Sequence, residues 1–196
     1  SVVTSGAYGG SGKSLEFSNA GTNISHSHVR DTAQELSSGD FTFTSLIKLS
    51  RTNDANACRG GVFFRGYTTS GYIAILRPQA TSSTIRLARV SGGTETVIST
   101  VNYNASATFE ADVWYRMKVF AEGSTLKVRV WKDGDSEPST WNIDTTDGTY
   151  DNARKKVGVY MFDGTTNTNT VMFDIMTEVE SGSSSVSPSS LGLVAS

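Results

Sequence analysis

Residues 112–131, DVWYRMKVFAEGSTLKVRVW, constrain the fold more than any other part of the chain, because they read as one complete antiparallel hairpin. Tyr115, Met117 and Val119 alternate with Trp114, Arg116 and Lys118. Beyond a turn, Leu126, Val128 and Val130 alternate with Lys127, Arg129 and Trp131. An apolar residue at every second position makes a strand with one face on a core and the other turned outward. The joint Ala121-Glu122-Gly123-Ser124 puts a glycine where a tight hairpin loop needs a positive φ. A chain built from such units is all-β.

The remainder obeys the same rule. Residues 13–18, 24–29 and 40–50 alternate and are separated by Gly, Asn and Ser. Segments 61–65, 71–77, 84–90 and 95–103 come next, then the hairpin strands 108–121 and 125–132, and finally 141–143, 156–162 and 170–180. That is about a dozen short strands, spaced as in a sandwich. Asp-Gly pairs at Asp133, Asp147 and Asp163 supply turn chemistry between them. Helix is confined to short stretches at 30–36 and 150–153. With 196 residues, the chain suits one sandwich over 1–180 and a Ser-rich tail over 181–196. The tail closes on Leu191-Gly192-Leu193-Val194, and Leu191, Leu193 and Val194 are the expected contacts if it serves as a docking arm rather than a linker.

Several classes are excluded or disfavoured. Seventeen basic against nineteen acidic residues give a net charge of −2, with no basic stripe to draw a nucleic-acid backbone. The longest apolar runs, such as 157–162, are too short to insert across a membrane. The lone Cys58 cannot form an internal disulfide or a thiolate metal cluster and reads as a small loop or strand hydrophobe, with a reactive thiol as the lesser alternative. A Ser1 start is what removal of an initiator methionine, signal cleavage or excision from a longer chain would each leave. Ala7-Tyr-Gly-Gly-Ser-Gly-Lys13-Ser14 comes close to a phosphate-binding loop. Such a loop needs a buried strand before it and a helix after it. Here too few apolar residues precede it, and 13–18 continue as strand.

The order of elements then points to a family. Gly12-Lys-Ser-Leu-Glu-Phe17 leads, Gly39-Asp-Phe-Thr-Phe-Thr-Ser-Leu-Ile-Lys48 is second, then Val113-Trp-Tyr-Arg-Met-Lys-Val119 and Leu126-Lys-Val-Arg-Val-Trp131. Val157-Gly-Val-Tyr-Met161 and Val171-Met-Phe-Asp-Ile175 close the series. This resembles the concanavalin A-like lectin/glucanase superfamily, in particular its laminin-G-like modules, over residues 13–180. The resemblance implies a two-sheet antiparallel jelly-roll sandwich with one concave sheet. Such folds serve lectins, carbohydrate-binding modules, glycan hydrolases and parts of phage tails and capsids, and the fold does not choose among them.

Hydrolases of the superfamily carry Glu-x-Asp-x-x-Glu or Glu-x-Asp-x-Glu on one strand, since two carboxylates must face one sugar bond. The nearest stretch here is Asp174-Ile-Met-Thr-Glu178-Val-Glu180, whose acids share a face by period two but have Met176 between them. Glu110 and Asp112 form a second same-face pair. The missing motif argues against an enzyme. The resemblance also implies a place for a structural calcium beside the last strand, with Asp174 matching it and Glu16 or carbonyls near Gly12 as partners. The loop Thr52-Asn-Asp54-Ala-Asn56 is another oxygen-rich candidate. His26 and His28 lie two apart, a zinc-chelating spacing with no third ligand in sequence.

Sugar binding calls for an aromatic platform beside hydrogen-bonding groups. Tyr67 and Tyr72 flank the turn at 68–71, with Arg65 and Arg77 close by, while Trp141 and Tyr150 lie in a turn-rich region with Asp144 and Asp147. Tyr67, Tyr72, Arg77 and Trp141 are therefore the candidate glycan contacts; core packing is the competing reading and the expected one for Trp114 and Trp131. The expectation is a non-enzymatic structural or adhesive subunit of a larger assembly, such as a phage capsid decoration or tail. Its partners would be protein subunits and cell-surface or extracellular glycans, and its place the virion surface or the extracellular medium. The alternatives are a carbohydrate-binding module of a secreted bacterial glycan-active protein and, third, a glycoside hydrolase.

Overall fold

Alternating segments pair into two antiparallel sheets. The computed structural model describes residues 2–3, 14–20, 24–29, 36, 38–50, 58–163 and 168–180. In chain order the strands are β1 (Val2–Val3), β2 (Ser14–Ala20), β3 (Ile24–Val29), β4 (Phe41–Leu49), β5 (Arg59–Tyr67), β6 (Ser70–Arg77) and β7 (Thr84–Ser91). They continue as β8 (Thr94–Asn102), β9 (Trp114–Glu122), β10 (Thr125–Lys132), β11 (Ile143–Thr146), β12 (Lys156–Asp163) and β13 (Thr168–Glu180). A seven-stranded sheet runs β1-β2-β13-β4-β9-β10-β11, and a six-stranded sheet runs β3-β12-β5-β6-β7-β8. This is the all-β, two-sheet jelly-roll sandwich expected from the sequence. No helix among the described residues is long and apolar enough to cross a membrane.

The hairpin at 112–131 forms as expected. Glu122 pairs with Thr125 across a two-residue loop in which Gly123 takes φ 53°. Met117, Val119, Leu126 and Val128 are fully buried. They meet Val62, Phe64, Tyr72, Ala74 and Leu87 of the six-stranded sheet in one core, which Cys58 joins. Beside it Tyr103, Phe109 and Tyr115 form an aromatic knot, with Tyr103 and Phe109 centroids 4.6 Å apart. The Ser83 hydroxyl accepts the Phe109 amide at 2.9 Å and holds the knot's loop in place.

Several details depart from the sequence reading, among them the strand expected at 141–143, which runs Ile143–Thr146, and the helix expected at 150–153, which is turn instead. A strand does precede the glycine-rich stretch: Val2 and Val3 pair with Leu15 and Ser14. The next element is strand β2 rather than a helix, so the phosphate-loop reading stays excluded; the loop itself lies outside the described residues. Strand β9 begins at Trp114 rather than residue 108, because Phe109 drops into the core and Asp112 takes φ 59°, donating its amide to Leu49 at 2.8 Å. A bulge between Asp174 and Thr177 shifts the register of β13 on β4 by one residue. Asp174 thus pairs with Leu46, whereas Glu178 and Glu180 pair with Phe43 and Phe41, which breaks the period-two relation expected among the three acids. Finally, Trp114 does not fill the core: it is half-buried, with the Lys48 ammonium 5.0 Å from its ring.

The two sheets differ on their outward faces. That of the seven-stranded sheet is laced with ion pairs: Lys118 and Arg129 to Glu137, Lys127 to Asp144, and Arg116 to Asp133. That of the six-stranded sheet carries a second apolar cluster of Phe63, Ile73, Ile75, Ala88 and Tyr160. Apolar residues on both faces of one sheet are unusual where one face should be solvated, and they mark where a site can form.

Candidate functional site

Strand register lays the outward face of the six-stranded sheet out as a grid. One row runs Gly158, Phe63, Ile73, Ala88, Val97 across β12, β5, β6, β7 and β8. The next runs Tyr160, Gly61, Ile75, Arg86, Thr100. The third begins Phe162, Arg59; continuing the β5–β6 register puts Arg59 opposite Arg77, which pairs with Thr84. Side chains at these positions share a face by the period-two rule.

The grid encloses a cavity of about 390 Å³, within the roughly 300–1,000 Å³ of small-ligand sites. Its floor is buried and apolar: Phe63, Ile73 and Tyr160. Half-buried Val90, Glu95 and Phe162 make the walls, and exposed Thr69 and Gly93 the rim. Two glycines permit the floor. A methyl at Gly66 or Gly71 would collide with the Phe63 ring, which lies against their backbone.

Charge gathers along one side. The Arg86 guanidinium reaches over Ala88 to Glu95, with Nη1–Oε1 at 2.9 Å. The Arg59 guanidinium stacks on the Phe162 ring at 4.5 Å. Burial and the charges of Arg77 and Arg86 lower the Arg59 pKa against an opposing pull from Glu95; burial and Arg86 lower that of Arg77. Burial, with the negative charge of Glu95, pushes the Tyr160 hydroxyl up to about 12, despite the opposing charges of Arg59 and Arg86. The Tyr160 phenol is therefore a neutral hydrogen-bonding group at ordinary pH.

A second polar constellation sits at one end of the sandwich. Arg65 is fully buried at a bulge in β5, with φ 45°. Its guanidinium donates to the Gly39 carbonyl at 2.9 Å, to the Gly123 and Tyr150 carbonyls at 2.6 and 3.3 Å, and to Asp40 at 2.8 Å. Asp40 also accepts from the Gly123 amide and the Asn152 side chain. Nearby, the Tyr72 hydroxyl donates to Asp147 at 2.7 Å and accepts the Tyr150 amide at 3.0 Å. Every group here has a partner, and the network ties three loops to one sheet.

The sequence candidates fall in four places. Arg77 does not line the cavity but stands on the same outward face, in the row that holds Arg59 and the lining residue Phe162. Tyr67 is 64% exposed at the β5–β6 turn, whose Thr69 forms part of the cavity rim, and Arg154 lies 5.8 Å from its ring. Tyr72 is 0% exposed, because its ring packs between Phe64 and Tyr150 in the core. Its ring is closed to a sugar, so the core-packing alternative holds for it. Trp141 belongs to the other sheet, where its ring packs against Phe120 and lies 4.1 Å from the Arg129 guanidinium.

Glu16 pairs with Met172 across β2 and β13, so it sits diagonally from Asp174, two residues further along β13. Two carboxylates fall short of the roughly six to eight oxygens a calcium takes. Among the described residues no group of three or more His, Cys, Asp or Glu side chains lies together, so a calcium here would need backbone carbonyls or further donors. His26 and His28 pair in register with Met161 and Val159. Glu110 is ion-paired with Lys132 at 2.8 Å. Residues 52–56, Leu191, Leu193 and Val194 lie outside the described residues.

Sequence reasoning missed Phe63, Ile73, Arg86, Glu95, Tyr160 and Phe162. For Phe63, Ile73, Tyr160 and Phe162 the signal was present: Val62-Phe63-Phe64, Tyr72–Leu76 and Val157–Phe162 are unbroken apolar runs, unlike the clean alternation of the hairpin. Such runs mark strands apolar on both faces.

No protein-family profile matches the chain. No curated protein sequence matches it either. Solved structures do. The carbohydrate-binding module CBM66 from Bacillus subtilis matches with a TM-score of 0.54 at 19% identity, over 87% of this chain and 87% of that one. The exoplasmic/lumenal domain of VIP36, in its Ca²⁺- and Man3GlcNAc-bound form, matches with a TM-score of 0.58 at 12% identity, over 86% and 78%. A functionally unknown protein from Saccharomyces cerevisiae matches with a TM-score of 0.54 at 13% identity, over 86% and 87%. At these identities the likeness shows the fold alone: a two-sheet jelly-roll sandwich.

Proposed function

We propose that this protein is a non-catalytic glycan-binding β-sandwich, and that saccharide seats on the outward face of its six-stranded sheet. The observation that carries this reading is the cavity itself, where half-buried Phe162 and Val90 supply an accessible apolar wall over the buried bed of Phe63 and Ile73, with polar groups at Glu95, Tyr160 and Thr69. A sugar presents just these two characters, apolar C–H faces and a ring of hydroxyls. The fold shared with CBM66 and with the glycan-bound VIP36 domain supports it. Hydrolysis asks for two carboxylates flanking one bond; among the described residues that line the cavity, Glu95 is the carboxylate, and Arg86 holds it. That favours binding over cleavage.

A carbohydrate-binding module and an adhesive subunit of a larger assembly share this chemistry. The assembly reading, with its virion or extracellular setting, leans on Leu191, Leu193 and Val194. The glycan reading stands without them. Affinity electrophoresis against a panel of soluble polysaccharides tests it. At least one is expected to retard the protein, and Phe162→Ala to weaken that retardation about tenfold, the value of one lost stacking contact, with the thermal midpoint nearly unchanged. Retardation by no member of the panel, or a Phe162→Ala variant that binds as tightly as the parent, would refute the proposal.

A further inference from the structure

We infer that the saccharide is acidic: the row formed by Arg59, Arg77 and Arg86 along the cavity receives a carboxylate or sulfate group of the bound sugar. The inference rests on the glycan reading above and adds its chemical class. Arg59 and Arg77 stand opposite each other on β5 and β6, and Arg86 is diagonal to Arg77 on β7. Neighbours in such positions lie roughly 5–8 Å apart. Three guanidinium groups thus share one patch, where the Glu95 carboxylate pulls on Arg59 and Arg77 and pairs with Arg86. The chain as a whole carries a net charge of −2, so this concentration of positive charge is local.

A structural arginine is held by acceptors; Arg77 is short of them. Among the described residues it has no carboxylate partner, and in the amide orientation that satisfies Gln79 its end group donates to that side chain at 3.1 Å. The Nε atoms of Arg77 and Arg86 are buried with no acceptor among the described residues. Burial first, and then repulsion within the row, lowers the pKa of both Arg59 and Arg77. An arriving anion would relieve that repulsion and accept from the forks, the bidentate geometry that guanidinium offers to carboxylate and sulfate. The adjacent Phe162 and Val90 would then hold the sugar ring to which the anion is attached.

Isothermal titration with oligosaccharides of matched length tests this. The probes are uronate oligomers of the galacturonate, glucuronate and mannuronate types, their methyl esters, sulfated galactans and neutral galactans. At least one acidic probe is expected to bind about tenfold or more tightly than its neutral counterpart, the worth of one charge-assisted hydrogen bond. Its affinity should fall with added salt, and Arg77→Gln should erase its advantage while Arg77→Lys keeps part of it. Preference for uronate over sulfate, or the reverse, identifies the anion and supports the inference either way. If esters and neutral probes bind as well as acids, and Phe162→Ala still weakens that binding, the glycan reading stands and the acidic class is wrong. If no saccharide binds, both fail. Equal affinity for a DNA oligonucleotide would also overturn the inference, since it would mark a generic polyanion surface. A thermal midpoint within a few degrees of the parent shows that each variant tested is folded.

Discussion

Arg65 and Arg77 bracket strands β5 and β6 of one sheet, yet they live in opposite electrostatic circumstances. Arg65 is wholly buried, in a left-handed backbone conformation, with three carbonyls and the Asp40 carboxylate around its guanidinium. Arg77 is half-buried among other arginines, and among the described residues it has no ion pair. The first arrangement offsets the cost of burying a charge by satisfying its donors and closes one end of the sandwich. The second leaves donors and charge in excess beside a cavity.

The sharpest way to break this contrast is Arg65→Met. Removing the guanidinium strands the Gly39, Gly123 and Tyr150 carbonyls and leaves Asp40 without its charge partner. Losing one member of a buried charged network costs about 3–5 kcal/mol. Urea unfolding is expected to show a loss near the lower end, because Asp40 remains partly hydrated. A loss under about 1 kcal/mol would mean that the network is incidental and that satisfied and unsatisfied arginines cannot be told apart this way.

Acid should loosen the same end of the molecule selectively. Burial alone would raise the Asp40 pKa, but hydrogen bonds from Asn152 and Gly123 and the Arg65 charge outweigh it and lower it below 3.8. Asp147 behaves alike: burial opposes, while Thr149, Tyr72 and Arg89 prevail. A carboxylate whose folded pKa is depressed contributes stability that is complete above its unfolded pKa and lost as pH falls through the folded value. Stability should therefore decline below about pH 4, and Asp40→Asn should flatten part of that decline while lowering stability at pH 7. An Asp40→Asn variant with the parent's pH profile would sink this account.

How far each region was legible in the sequence depends on the same physics. The hairpin at 112–131 declared itself because one face is apolar and the other charged, and strict alternation admits one reading. Strands β3 and β10 were legible to their ends. The register shift in β13 was not, because a bulge at Ile175-Met176 leaves no mark in an alternating pattern already mixed. In sequence Arg77 stands out only by nearness to Tyr67 and Tyr72, whereas its place beside Arg59 and Arg86 comes from strand register. Arg65 was noted only as a neighbour of Tyr67, since nothing local shows that its partners arrive from residues 39, 40, 123 and 150. The cavity needed five strands side by side before Phe63, Glu95 and Tyr160 became neighbours. The one local trace of Phe63 and Tyr160, unbroken apolar runs, says that a face is apolar but not what it surrounds; Glu95 leaves none.

The smallest expected effect is the most diagnostic. Arg77→Gln removes a charge that burial and Arg86 oppose and Glu95 favours, so the folded protein should lose little, and Arg59 and Arg86 gain relief. Surface changes of this kind fall within about 0.5 kcal/mol of the parent, and here the sign should be zero or stabilising. Paired urea titrations of Arg77→Gln and Arg65→Met, under one buffer, read the two arginines on one scale. A residue whose removal leaves stability intact while erasing ligand binding is held for the ligand. If instead Arg77→Gln costs as much as Arg65→Met, the row of arginines is part of the scaffold, and the cavity beside it loses its claim to an anion.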